Sequence, residues 1–113
     1  TPHHTPVEIR IGDDLKSMQR AVGGFIEMIC PFEDESAILV CNEEGKLNGM
    51  EGNRRLEGDV ITGPFFIIRD DGEGGTTDLT DEQVEKYSRR FAEPEDISPE
   101  EIEENTGFTF ISM

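Results

Sequence analysis

The 113 residues predict an α+β fold in a single domain: a mostly antiparallel or mixed sheet of about four or five strands, with two or three short helices. Three observations carry that prediction. The length suits one domain that can bury a core without disulfides or metals. The apolar residues, 34% of the chain, are gathered into runs separated by turn signals instead of being diluted evenly. The hydrophobic period also switches along the chain, from the two-residue alternation of a strand to the roughly 3.6-residue spacing of a helix.

Residues 1–6, "TPHHTP", place His3 and His4 among prolines and read as a flexible N-terminus. Residues 7–91 read as the core domain. In "VEIRIG", Val7, Ile9 and Ile11 alternate with polar residues, which predicts a first, half-buried strand. "DDLKSMQRAVGG" then predicts a helix near 14–22: Leu15, Met18, Ala21 and Val22 share a face, Asp13 and Asp14 stand at the start, and Gly23 sits where a left-handed C-terminal cap belongs.

"FIEMIC" and "AILVC" predict a hairpin about "PFEDES", with Ile26 facing Cys41 and Cys30 facing Ala37. In that register Ile26, Met28, Cys30, Ala37, Leu39 and Cys41 line the core. The two cysteines lie roughly 13 Å apart at ~3.3 Å per residue, beyond disulfide reach, so both are expected as reduced core residues. "DVITGPFFIIRD" predicts one strand buried on both faces, bulged at Gly63-Pro64. Thr80 and Gln83 form a capping-box pattern opening a helix near 81–91, with Val84, Tyr87 and Phe91 as its apolar stripe. Ser98 and Glu101, with Pro99 at the first helical position, repeat the pattern for a short acidic helix near 99–105. "FTFIS" then alternates as a last strand.

The charge excludes whole classes of partner. The formal net charge is −16, and residues 70–113 hold 14 acids against 3 bases. Nucleic acid and anionic membrane would both be repelled, so a direct nucleic-acid or membrane partner is not expected, whereas a basic protein is. Two cysteines and the lack of any apolar run near the length of a membrane span favour a reducing, cytoplasmic location.

Motifs for chemistry are sparse. The glycine-rich stretch "CNEEGKLNGMEGNRRLEGD" has neither the GxxxxGK[ST] nor the GxGxxG spacing that cradles phosphate, and "NEEGK" reads as a tight turn. "RDDGEGGTTD" puts glycines where an EF-hand loop needs ligands. Two distant cysteines and two N-terminal histidines do not make a zinc site, and no histidine lies in the folded body to serve a nucleophile. No catalytic residue, metal or cofactor is assigned, and no enzyme activity is expected. Two candidate surfaces stand out. Asn48, Asn53, Arg54 and Arg55 could line a pocket for an anionic ligand, although pairing of the arginines with Glu51, Glu57 or Asp59 within the chain is the favoured reading. Glu93, Glu95, Asp96, Glu100, Glu101, Glu103 and Glu104 form an acidic face on a C-terminal extension, residues 92–113.

The succession "AVGGFIEMI", "AILVCNEEGKLNGMEGNRRL", "ITGPFFII" and "LTDEQVEKY" resembles a small bacterial and bacteriophage family known as domain of unknown function 3846. "CNEEGKLNG" followed by "NR" is the most specific part of the resemblance, which runs from about Val7 to Phe91. The resemblance implies an accessory protein of phages and conjugative elements and supplies no biochemical activity. Two features depart from the family pattern: the segment between Asn53-Arg54 and "ITGPFF" is shorter, and the acidic tail lies outside the shared part. The expectation is a non-enzymatic protein-binding module whose acidic face mimics nucleic acid toward a basic, nucleic-acid-handling partner. The alternative is an anionic-ligand sensor using the Asn48–Arg55 loop.

Overall fold

The structure, a computed structural model, describes residues 1–12, 14–56 and 58–104. Its elements run α1 (Leu15–Val22), β1 (Ile26–Ile29), β2 (Ala37–Asn42), β3 (Gly52–Leu56), β4 (Asp59–Thr62), β5 (Phe65–Asp70), β6 (Thr76–Thr77), α2 (Asp81–Arg90) and α3 (Pro99–Glu104). Strands β1, β2, β5 and β6 form a four-stranded antiparallel sheet in the order β1-β2-β5-β6, and β3 pairs with β4 in a separate two-stranded ribbon. This is the α+β class that the pattern of periods predicts. The alternating "FTFIS" lies outside the described residues.

The helices start where their caps stand. The Asp14 side chain accepts the Ser17 N–H at 2.7 Å, and Gly23, at φ 81°, closes α1 in the left-handed conformation that a side chain would strain. Thr80 and Gln83 complete the reciprocal capping box of α2, and the Ser98 hydroxyl accepts the Glu101 N–H at 3.2 Å to open α3. In α1 only Met18 and Val22 are buried; Leu15, expected on the same stripe, is 57% exposed at the first turn.

The hairpin is displaced by one residue from its expected register. Ile26 faces Asn42, Glu27 faces Cys41, Met28 faces Val40 and Ile29 faces Leu39. A one-residue slip exchanges the faces of a whole strand. Ala37, Leu39 and Cys41 therefore share the core side with Ile29, while Ile26, Met28 and Cys30 take the other face, and Cys30 is exposed instead of buried. Two long-range bonds hold this register: the Glu43 N–H donates to Phe25 O at 2.8 Å, and the Asn42 amide reaches Val22 O of α1 at 3.1 Å. Neither could be seen in the strand pattern.

"DVITGPFFIIRD" is two strands in two sheets. Gly63 takes φ 72°, and a Cβ there would meet Met50 Sδ at 2.5 Å, so the chain leaves the ribbon after Thr62 and enters the main sheet at Phe65. The break is thus complete, where the sequence suggested a bulge, and β5 is half-buried along most of its length. Residues 52–56, read as loop, form β3. Val7–Ile11, read as the first strand, pairs with nothing among the described residues: Val7 is 75% and Ile9 58% exposed. An alternating pattern states which side a strand would bury, but not whether an edge lies within reach.

The core gathers Ala37, Leu39, Cys41, Leu56, Ile61, Tyr87 and Phe91, with Ile29, Phe32, Phe65 and Ile67 packed against it. Aromatic contacts tie α2 to the sheet, the Phe32 and Tyr87 rings lying 4.6 Å apart and the Phe65 and Phe91 rings 5.3 Å apart.

Candidate functional site

Arg54 and Arg55 are adjacent, and the ribbon sends them in opposite directions. In the β3–β4 register Gly52 faces Thr62 and Arg54 faces Ile61, so Asn53 is the extra residue of a β-bulge. Asn53 and Arg54 are consequently both buried, at 1% and 3% exposure, and Arg55 points outward. The Asn53 amide donates to Gly63 O at 2.8 Å, bracing the point where the chain changes sheets.

The Arg54 guanidinium spends its donors on carbonyls. Nη1 donates to Asn53 O and Oδ1, both at 2.8 Å; Nη2 donates to His4 O at 2.8 Å and to Phe91 O at 2.9 Å. One side chain thus joins the N-terminal segment, the ribbon and the end of α2. Burial pulls its pKa down, with the Glu95 carboxylate acting in the opposite direction. Its buried Nε has no hydrogen-bond partner among the described residues.

Arg55 fastens the acidic segment to the ribbon. Its Nε and Nη2 grip Glu101 at 2.6 and 2.8 Å in a two-point fork, its Nη1 reaches Glu95 at 2.8 Å, and its backbone N–H donates to the second Glu95 oxygen at 3.0 Å. The grip of Arg55 holds the Glu101 carboxyl below its ordinary range. Ile97, 8% exposed, fits against Gly52, where a Cβ would come within 2.8 Å of its own. The segment from Glu93 to α3 is therefore anchored to the body of the fold.

The expected site residues are only partly brought together. Asn53, Arg54 and Arg55 are consecutive in one corner, but Asn48 is exposed on the preceding turn. A cleft of about 440 Å³ opens beside them, lined by His3, Lys46, Met50, Glu51, Asp96 and Ile97 among others; none of Asn48, Asn53, Arg54 or Arg55 lines it. The arginines do pair within the molecule. Among the described neighbouring acids, Glu51 pairs with His3 at 3.1 Å and Asp59 with Lys46, whereas Arg55 reaches residues 40 and 46 positions away; Glu57 lies outside the described residues. No local signal points to contacts that distant.

The acidic face divides in the same way. Glu95 and Glu101 are turned onto Arg55 and half-buried, while Glu93, Asp96 and Glu100 are exposed. Glu103 and Glu104 close α3. Among the described residues, no group of three or more His, Cys, Asp or Glu is placed to hold a metal ion, and no helix is long and apolar enough to cross a membrane.

Comparison with known proteins finds a match to the family described as Domain of unknown function (DUF3846) over residues 1–92. Neither the curated proteins nor the solved structures return a significant match. The match covers most of the chain, which belongs to this family, and it ends where the acidic segment begins.

Proposed function

We propose that this member of the family is a non-enzymatic accessory protein of a phage or other mobile element. It acts inside the cell by binding a basic, nucleic-acid-handling protein, with its acids standing in for a phosphate backbone. The observation that supports this reading most is the division of charge at the Arg55 corner. Glu95 and Glu101 are consumed in docking the segment, so Glu93, Asp96 and Glu100 are held outward at set positions on an anchored scaffold. Fixed charge of one sign raises the encounter rate with a complementary partner and selects against others. The formal charge of −16 extends that field over the surface.

The test is affinity capture by the tagged full chain from a bacterial lysate, with elution along a salt gradient. A DNA- or RNA-handling protein should elute at moderate salt, duplex DNA should displace it at constant ionic strength, and E93Q/D96N/E100Q should weaken capture about tenfold or more. Capture that neither DNA nor the triple substitution disturbs would sink the mimicry. A rise in melting temperature with anionic metabolites, and no captured protein, would turn attention to the Asn48–Arg55 loop instead.

A further inference from the structure

A second surface, independent of the acidic segment, points to self-association. Strand β1 stands at the end of the four-stranded sheet, so among the described residues one of its edges has no neighbour. Because Glu43 N–H donates to Phe25 O, the hydrogen-bonded pairs of this ladder fall at the odd-numbered residues of β1. The N–H and C=O groups of Ile26 and Met28 therefore point away from β2. The face on which these side chains lie is apolar: Met28 is 46% exposed beside buried Val40, and Ile38, Phe66 and Ile68 continue it half-buried across β2 and β5. Helix α1 packs against β1 and β2, with the Asn42 amide donating to Val22 O, yet Met28 stays exposed.

The same chain carries a segment that matches this edge. Residues 5–12 make no backbone hydrogen bond with any described residue, and Val7 and Ile9 project into solvent although their alternation is that of a half-buried strand. Laid along β1 with Val7, Ile9 and Ile11 on the side of Ile26 and Met28, the segment puts Glu8 and Arg10 on the side of exposed Glu27. Apolar residues then meet apolar ones, and Arg10 comes beside a carboxylate, the opposite-charge pairing that stabilises neighbouring strands.

We propose that residues 7–11 of one copy add as an outer strand to β1 of a second copy, and reciprocally, in a two-fold dimer. Exchange of this kind uses each edge and each segment once, so the assembly closes instead of growing into a filament. Two copies of a strongly acidic chain repel one another, and salt screens that repulsion. Dimerisation should therefore tighten with ionic strength, the reverse of the salt response expected for a basic partner.

Sedimentation equilibrium of the full chain across concentration and salt is the test. Twice the chain mass is expected, with Ile9→Asp or Met28→Asp each weakening dimerisation tenfold or more while circular dichroism and melting of the monomer stay unchanged. Arg10→Glu should weaken it several-fold and the exchanged pair Arg10→Glu with Glu27→Arg should recover it. A monomer at every concentration and salt overturns the proposal, and so does a dimer indifferent to Ile9→Asp and Met28→Asp.

Discussion

The Arg54–Arg55 corner and the β1 edge show two ways of treating the backbone. At the corner, a bulge, a glycine with no room for a Cβ and two guanidinium groups bring five separate stretches of chain into contact, and donors and acceptors are almost all used. At the edge, the outward backbone groups of Ile26 and Met28 and those of residues 5–12 have no backbone partner among the described residues, and Val7, Ile9 and Met28 are exposed. The difference separates a region closed by contacts within the chain from one that leaves an edge open among the described residues. Burial of an unpaired polar group is costly, and at the corner the Arg54 Nε is left without a partner among the described residues; exposure is cheap, so the edge can stay open.

The sharpest way to break the comparison is Arg54→Met. It leaves the carbonyls of His4, Asn53 and Phe91 without their donor, and should cost about 3 kcal/mol in chemical denaturation. A loss within experimental scatter would mean that the corner is held by packing alone.

The two thiols probe the open side against the closed core. Burial pushes the Cys41 thiol up to about 11, and Glu27 adds to the effect, whereas Cys30 is exposed just past β1. Iodoacetamide at pH 8 should modify exposed Cys30 far faster than Cys41, whose burial both shields the sulfur and suppresses its thiolate. Mass spectrometry of the singly labelled protein identifies the site.

Gly52→Ala should cost about 1–2 kcal/mol, because the added Cβ overlaps Ile97. The chain can relieve the overlap by releasing the acidic segment, so hydrogen exchange should rise in residues 95–102 more than in the sheet.

Acid should act in the same place and more weakly. Arg55 depresses the Glu101 carboxyl from 4.5, so docking by this pair is fully present above that pH and is lost as pH falls through the depressed value. Exchange of residues 95–102 should rise between pH 5 and the low-pH limit, and Arg55→Ala should produce the same exchange at pH 7 with little change in melting temperature, as exposed ion pairs contribute little to global stability. Unchanged exchange in Arg55→Ala would show that Ile97 alone holds the segment.

Legibility followed the range of the interactions. Asp14, Gly23, Thr80, Gln83 and Ser98 act on backbone groups within four residues of themselves, and the helix bounds they predict agree with the structure. The ribbon strand β3 was illegible because its glycines and asparagines read as turn chemistry. Only in the fold does Gly52 make way for Ile97 and Asn53 become a bulge. The hairpin register was out by one residue because both ends of "FIEMIC" are apolar, so either face could be buried on pattern alone; a bond from Glu43 to Phe25 decides it. The candidate Asn48–Arg55 loop contains both arginines of this corner, but their partners come from His4, Phe91, Glu95 and Glu101.

By itself the sequence determined the α+β class, the caps of all three helices, the apolar identity of β2 and β5 and the strongly acidic surface, since each depends on side chains close together along the chain or on composition. Tertiary structure alone decided which face of β1 is buried, where the chain passes from the ribbon to the sheet, which arginine is a buried strut and which acids remain outside. Those outcomes depend on hydrogen bonds and close contacts between residues far apart in sequence, whose geometry exists only once the elements are packed.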